Sequence, residues 1–335
     1  SITFPKFENF EKKRGQHRLS PCFSAMKELF GLEMRLKRDV DLELLEHILV
    51  HVREDDGRVR LAVRELCQLL HGDLGTTLTD NQKVSTILTH YGAATFELAF
   101  LALIVALIVG IGLGRIAARK RDHAADAGIR TFAILCYATP VFFLGLVLKL
   151  IFAVWLNILP ASGRSDLNSE MQFTRLVSPT GFYIIDAIQL GDMSVLLDVL
   201  RHAVLPALAL GLLTAGVFIR LVRTNVIATY NSGYVEAARS RGVSEKRLLN
   251  KHAWKPALIP IITVMGMQIA LMLAGAVLTE TTFEWKGLGF MLSQYLKARD
   301  FVAVQGIVIL IAIIVAVVNF IVDVIAALVD PRVRY

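Results

Sequence analysis

Five long apolar stretches constrain the fold of this chain more than any other feature. Each is about 20 residues or longer with few charges, the length and composition that a helix needs to cross a bilayer. Only 19% of the 335 residues are charged, against about a quarter in a typical soluble domain. The sequence therefore predicts an all-α fold, a polytopic bundle of transmembrane helices. The five predicted spans are 94–118, 131–156, 203–222, 257–278 and 303–329.

Small residues recur within these stretches at helical spacing. Gly110, Gly112 and Gly114 lie in the first, and Gly211 and Ala215 lie in the third. Small side chains let two helices approach closely within lipid. A phosphate-binding loop also contains close glycines, but it needs a strand, a turn and a helix around it. We therefore expect these positions to lie at helix–helix contacts.

Basic residues concentrate in two of the segments that connect the stretches. The positive-inside rule places such segments in the cytoplasm, together with the C-terminal residues. The segment 157–202 carries more acidic than basic residues and is expected outside. The net charge of +7 is thereby explained by orientation in a lipid membrane, and no nucleic-acid partner is expected. The two basic segments contain Arg115, Arg119, Lys120, Arg121 and Arg130, and then Arg223, Arg239, Arg241, Lys246, Arg247, Lys251 and Lys255.

The N-terminal part of the chain does not follow this pattern. Five spans and a cytoplasmic C-terminus put residues 1–93 outside, yet residues 1–70 hold no apolar run of spanning length and no ordinary signal peptide. We expect an extracytoplasmic region 1–93, in which a first transmembrane helix is missing or altered, before a transmembrane domain 94–335. His47 and His51 stand four residues apart, but no third ligand is near them, so no metal site is expected.

The loop 223–256 has a distinctive internal pattern. Residues 234–241 favour a short helix, and Gly242 can take the left-handed conformation that ends one. Ser244 is suited to begin a second helix, and Pro256 fits the first turn of the next span. Two short helices with a glycine break form a rigid element that can dock on a cytoplasmic partner. A basic amphipathic loop lying on anionic lipid is the alternative.

The residues of this loop resemble a known signature. Glu236-Ala-Ala, followed by three residues and Gly242, is similar to the EAA motif of ABC importer permeases, and His252–Pro260 is similar to its form in the dipeptide/oligopeptide/nickel permease family. The resemblance extends over about residues 60–335. Its other motifs are His71-Gly-Asp-Leu-Gly75, an extracytoplasmic loop with Glu280-Thr-Thr-Phe283 and Gly287-Leu-Gly289, and a C-terminal pattern with Asn319, Asp323 and Asp330-Pro-Arg-Val-Arg-Tyr335.

The resemblance implies a pore-forming permease subunit of an ATP-driven importer for peptides or similar solutes, with nickel complexes as an alternative cargo. Its implied partners are ABC ATPase subunits, a second homologous permease and an extracytoplasmic solute-binding protein. No cofactor is implied, and no GxxxxGK[ST] loop is present, so ATP hydrolysis is expected in a partner chain. The residues implied to couple to the ATPase are Tyr234, Glu236, Ala237, Ala238, Arg241 and Gly242.

Two questions stay open at this level. Glu236 either pairs with a basic residue of the ATPase or only stabilises its own helix terminus. An ATP-independent transporter or a membrane-embedded enzyme would need polar or nucleophilic groups deep in the spans, and the stretches are poor in them. We expect Glu97 and Lys149 to reach water near the outer ends of their spans. Arg220 and Arg223 are expected to anchor at the membrane interface, and Asp323 to pair with a basic loop residue.

Overall fold

The computed structural model describes residues 75–176 and 179–329 of the chain. The predictions for residues 1–74, for the side chain of Asp323 and for the C-terminal motif 330–335 lie outside that description. Its helices are α1 Val84–Arg119, α2 Ala124–Ala138, α3 Val141–Leu148 with a π-helical continuation Lys149–Trp155, α4 Leu167–Phe173, α5 Tyr183–Leu190, α6 Met193–Tyr230, α7 Gly233–Ser240, α8 Glu245–Arg247 with a π-helical continuation Leu248–Ala253, α9 Trp254–Phe283, α10 Leu288–Ala298 and α11 Phe301–Val329.

Within residues 75–176 and 179–329, four helices are long and apolar enough to cross a membrane, namely α1, α6, α9 and α11. A fifth crossing is possible if α2 and α3 act together, although they are bent by 109° at their junction. The predicted all-α transmembrane bundle is thus confirmed. The first spanning helix begins at Val84, earlier than the predicted start at residue 94.

The predicted second span over 131–156 is not a single helix. The helix stops at Ala138, Thr139 takes an extended conformation with ψ of 127°, and Pro140 precedes the next helix. Proline disfavours the helical conformation of the residue before it and cannot donate a backbone hydrogen bond. Thr139-Pro140 therefore breaks the apolar stretch into two helices.

The predicted glycine contacts lie between α1 and α6, except at Gly112, where the prediction was wrong because no atom lies within 4 Å of an added Cβ. A Cβ added to Gly110 would lie 2.5 Å from the Cβ of Phe218, and one added to Gly114 would lie 2.7 Å from that of Val222. Gly211 similarly faces the carbonyl of Ala102. Contacts that advance together along both helices mean that α1 and α6 run parallel. The chain between them must therefore return to its starting side, and the bent α2–α3 pair is the candidate span between them.

Asp300 joins the segment before α1 to the start of α11. Its carboxylate accepts hydrogen bonds from the backbone nitrogens of Leu78 at 2.7 Å, Thr79 at 3.0 Å and Ala303 at 3.2 Å. Burial raises the pKa of Asp300, but hydrogen bonds from Thr79, Ala303 and Leu78 outweigh it and leave the pKa below its usual range. A charged Asp300 thus caps α11 and anchors the chain that leads into α1.

Candidate functional site at the loop between two spanning helices

Helix α7 forms the first half of the loop that the sequence singled out. The carbonyl of Ser232 accepts from the backbone nitrogens of Val235 and Glu236, which begins the helix. Gly242 follows its end with a φ of +79°, and no atom lies within 4 Å of a Cβ added there. The backbone conformation, and not crowding, therefore requires glycine. The predicted short helix and left-handed glycine are both confirmed.

The second half of the loop continues directly into a spanning helix. The backbone carbonyl of Ser244 accepts from Arg247 and Leu248, although its side chain makes no capping hydrogen bond. Helix α8 then passes through its π-helical continuation into α9 at Trp254. Pro256 lies in the first turn of α9, as predicted. This half of the loop and α9 therefore form one unbroken run of helix.

Glu245 closes the two halves of the loop onto the end of α6. Its carboxylate accepts from the Nε of Arg239 at 2.8 Å and from the hydroxyl of Tyr230. The Arg239 guanidinium lies over the Tyr230 ring, 5.0 Å from its centroid. These hydrogen bonds, that from Arg239 first, hold the pKa of Glu245 below its usual range. The three side chains fix the turn at Gly242.

Asn250 ties the same loop to the last turns of α1. Its Oδ1 accepts from Arg115 at 2.9 Å and from Arg119 at 2.7 Å. The guanidinium of Arg115 also lies 4.8 Å from the centroid of the Trp254 ring. Arg115 and Arg119 entered the sequence argument only as charges that set orientation. Asn250 was missed, because a lone amide within a basic segment carries no pattern of its own.

All six predicted coupling residues lie on this loop, and five of them are exposed. Val235 is fully buried beneath them, and Ala238 is half-buried at their edge. Within the described parts of the chain, no ion pair or hydrogen bond involves the Glu236 side chain. Glu236 lies in the first turn of α7, where a negative charge is favoured by the helix dipole. The exposed members are Tyr234, Glu236, Ala237, Arg241 and Gly242.

A second polar cluster lies at the opposite end of α9. Glu280 is fully buried and accepts from the Thr95 hydroxyl at 2.7 Å and the Phe290 nitrogen at 2.9 Å. A Cβ added to Gly287 would lie 2.6 Å from the Glu280 carboxylate, and one on Gly289 would lie 2.5 Å from the Cα of Val277. Glu280–Phe283 had been expected in a loop, but it forms the last turn of α9. The motif thus holds α10 against α1 and α9.

Glu97 does not reach water, and that expectation was wrong. Its carboxylate lies 2.6 Å from the Arg164 guanidinium and accepts from the Ile184 nitrogen at 2.7 Å. Arg164 also donates to the Gly181 carbonyl at 3.0 Å and lies 3.7 Å from the centroid of the Tyr183 ring. Only an acidic residue within an apolar stretch signalled this site in the sequence.

Lys149 and Arg223 also have partners inside the protein. The ammonium of Lys149 donates to the Thr282 carbonyl at 2.9 Å, so it contacts the end of α9 instead of extending freely to water. Arg223 makes two hydrogen bonds to the Asp126 carboxylate, at 2.6 and 2.7 Å. Arg220 is exposed beside it. Arg223 therefore holds α2 against α6, in addition to any interfacial anchoring.

Comparison with known proteins identifies the family. Residues 110–335 match the family profile described as binding-protein-dependent transport system inner membrane component. The chain is also 38% identical to the di/tripeptide transport system permease protein DppB of Pseudomonas aeruginosa (strain UCBPP-PA14) over 267 residues, which are 80% of this chain and 78% of that protein. This chain belongs to the family of binding-protein-dependent transport system inner membrane components.

Other relatives of this inner membrane component agree. It is 37% identical to the dipeptide transport system permease protein DppB of Escherichia coli (strain K12), over 80% of this chain and 78% of that protein. It is 38% identical to the peptide transport system permease protein SapB of Salmonella typhimurium, over 78% and 81%. The region that matches the family profile, residues 110–335, contains the α7–α8 loop and the Glu280 motif. Both therefore belong to the part that defines the family.

A solved structure supports the fold of this inner membrane component. Inward-facing conformations of the MetNI methionine ABC transporter include a chain that superposes with a TM-score of 0.55 at 14% sequence identity. The match covers 73% of this chain and 97% of that chain. The two chains therefore share this helical arrangement. Together with its apolar helices, the family membership makes this chain a multi-pass inner membrane protein.

Proposed function

We propose that this inner membrane component forms part of the translocation pathway of an ATP-driven peptide importer and that a separate ABC ATPase docks on α7. The names of its relatives support peptides as the cargo. One observation carries the docking role. Helix α7 exposes Tyr234, Glu236 and Ala237 on a face with small residues, while the loop beneath it is fastened to three spanning helices. A partner can thus approach closely and move those helices together.

The contacts of the loop define how force would reach the spans. Glu245 connects α7 to α6 through Tyr230, and Asn250 connects the loop to α1 through Arg115. The π-helical continuation of α8 leads into α9 without a break. When ATP draws two ATPase subunits together, these attachments would move as one unit and switch access across the membrane. This is a rigid-body transition between two states.

The remaining partners and the orientation belong to the same proposal. A second homologous permease would complete the pore, and an extracytoplasmic solute-binding protein would deliver the peptide. The positive-inside rule supports a cytoplasmic α7 and C-terminus, with residues before α1 outside. A green fluorescent protein fused after Tyr335 should therefore fluoresce, and an alkaline phosphatase fused there should be inactive. The reverse pattern would overturn the orientation.

Docking is tested by co-purification from native membranes. Ala237→Leu adds bulk to the exposed face of α7 while keeping a good helix former, so we expect at least a tenfold loss of ATPase subunits, quantified by mass spectrometry. Ala127→Leu, at an exposed alanine of α2, is the matched control and should retain them. Equal recovery from both variants would show that the ATPase docks elsewhere.

The role of Glu236 is tested by two substitutions. If it pairs with a basic residue of the ATPase, Glu236→Lys should abolish co-purification, because like charges across an interface cost several kcal/mol. A compensating acidic substitution on the ATPase should then restore it. If Glu236 only stabilises α7, Glu236→Lys and Glu236→Gln should retain the ATPase to the same extent. Uptake of a labelled dipeptide by cells that depend on this permease tests the cargo, and uptake independent of the chain would exclude it.

A further inference from the structure

A cavity of about 310 Å³ opens between α2 and α6. Its charged lining comes from three arginines, namely Arg130 of α2 and Arg220 and Arg223 of α6, and Tyr137 and Thr224 also line it. None of its lining residues belongs to α7 or to the Glu280 cluster, and of them only Arg223 makes a contact described above, to Asp126. Three arginines converging on one cavity form a site for an anion.

The positive charge of this cavity exceeds the negative charge beside it. Asp126 is fully buried and binds Arg223 through both oxygens, and it also lies 3.7 Å from Arg130. In the part of the chain that the structure describes, no carboxylate forms an ion pair with Arg220. Its guanidinium lies 5.8 Å from the centroid of the Tyr137 ring. Three cations against the Asp126 carboxylate, with Asp122 also acting on Arg223, leave an excess of positive charge at the cavity.

The remaining walls of the cavity are apolar. Ala133, Ile134 and Val217 line it, and the Ile134 side chain is 65% exposed. A Cβ added to Gly216 would lie 2.7 Å from the Ala133 carbonyl, so glycine allows the two helices to meet at the base of the cavity. An inorganic anion would leave these walls in contact with water, whereas an amphiphile contacts both the arginines and the walls.

The position along α6 matches the level of phospholipid headgroups. A helix of 38 residues is about 57 Å long, and a hydrocarbon core of about 30 Å covers about 20 of them. Arg220 and Arg223 lie where the apolar stretch 203–222 ends. Basic pockets between transmembrane helices at this level suit anionic headgroups.

We propose that this cavity binds one anionic phospholipid, with its phosphate among Arg130, Arg220 and Arg223 and an acyl chain along Ile134 and Val217. The bound lipid would neutralise Arg220 and hold α2 against α6 in addition to the Asp126–Arg223 contact. The inference depends on the chain lying in a membrane but not on ATPase docking. If experiments exclude one of the two proposals, the other is therefore unaffected.

Native mass spectrometry of the intact purified protein tests the site. The protein is offered phosphatidylglycerol and phosphatidylcholine with identical acyl chains, and glycerol 3-phosphate in a separate arm. Phosphatidylglycerol should bind in preference, and Arg220→Gln should weaken it roughly fivefold, the effect of one basic residue facing anionic lipid. Arg121→Gln removes an exposed arginine that does not line the cavity and should leave binding unchanged.

A second variant separates lipid from a free anion. Ile134→Trp fills the apolar side of the cavity without changing its charge, so it should reduce phosphatidylglycerol binding as Arg220→Gln does. Saturating glycerol 3-phosphate should not displace the lipid. Equal binding of the two lipids, unchanged binding by both variants, or displacement by glycerol 3-phosphate would each overturn the proposal.

Discussion

The guanidinium of Arg164 lies 2.6 Å from the carboxylate of Glu97, and both side chains are more than nine-tenths buried. The two residues are 67 positions apart, so their contact joins the segment after α3 to the first turns of the spanning part of α1. Burying two charges is costly unless they pair closely and their remaining hydrogen-bonding groups find partners. The Ile184 nitrogen and the Gly181 carbonyl supply such partners, whereas the buried Nε of Arg164 has none among the described residues.

Breaking this pair should destabilise the protein severely. Arg164→Gln leaves the Glu97 carboxylate buried without its cation, so we expect the free energy of unfolding to fall by about 3 to 5 kcal/mol. Unfolding in mixed detergent and dodecyl sulfate micelles measures it. Arg175→Gln removes an exposed arginine of the same segment and should change stability by less than about 0.5 kcal/mol. Similar losses in both variants would show that the pair contributes no specific stability.

Two glycines of α1 should respond oppositely to alanine. Gly110→Ala places a Cβ 2.5 Å from that of Phe218, and such overpacking costs about 1 to 3 kcal/mol. Gly112 has no atom within 4 Å of an added Cβ, so Gly112→Ala should stabilise the helix by about 0.5 to 1 kcal/mol. Thermal unfolding in detergent compares them. Equal effects would mean that α1 and α6 do not pack through Gly110.

Removing the Asp300 carboxylate should loosen the start of both α1 and α11. Asp300→Ala removes the cap of α11 and leaves the Leu78 and Thr79 nitrogens without their acceptor, at a cost of about 2 to 4 kcal/mol. The exposed Glu284 is the control, and Glu284→Gln should be nearly neutral. Thermal unfolding at neutral pH measures both.

The contribution of the Asp300 charge should depend on pH. Its pKa in the folded protein is lowered, so the charge stabilises the fold at pH values above the unfolded pKa of about 3.9. That stabilisation is lost as the pH falls through the lower folded pKa. The difference in unfolding temperature between wild type and Asp300→Ala should therefore be constant near neutrality and shrink below about pH 4. A difference that grows on acidification would contradict this assignment.

Asn250 should affect how motion of the α7–α8 loop reaches α1 more than it affects docking of the ATPase. Asn250→Leu removes the acceptor of Arg115 and Arg119, so the assembled transporter in proteoliposomes should lose several-fold of its peptide-stimulated ATPase activity while still retaining its ATPase subunits. Asn250→Asp keeps the acceptor and adds a charge opposite two arginines, so it should preserve the stimulation. If Asn250→Leu is fully stimulated, force does not pass from the loop to α1 through Asn250.

Local patterns in the sequence were sufficient to predict the all-α class of fold and the helix and glycine break of the loop. Apolar runs of about 20 residues define spans because the bilayer core has a fixed thickness. The helix at 234–241 and the left-handed Gly242 follow from propensity and from the steric freedom of glycine. Pro140 also signals the break after Thr139, since proline restricts the backbone conformation of the residue before it. The prediction of a span over 131–156 rested on apolar composition and did not use this signal.

Contacts between distant segments were not predictable in this way. The Glu97–Arg164 pair, the Glu280–Thr95 contact and the Asn250–Arg115 contact each join positions far apart in the chain. One acidic residue in a span indicates that a partner is needed but not which residue supplies it.

The sequence by itself determined that this chain is a helical membrane protein with a loop suited to docking, because hydrophobicity, charge and local propensity act over a few turns of chain. Only the tertiary structure decided which buried charges pair, which glycines lie at helix contacts and how the loop is fastened to α1, α6 and α9. Those outcomes depend on close packing and on hydrogen-bond geometry between segments, and both arise only once the helices have assembled.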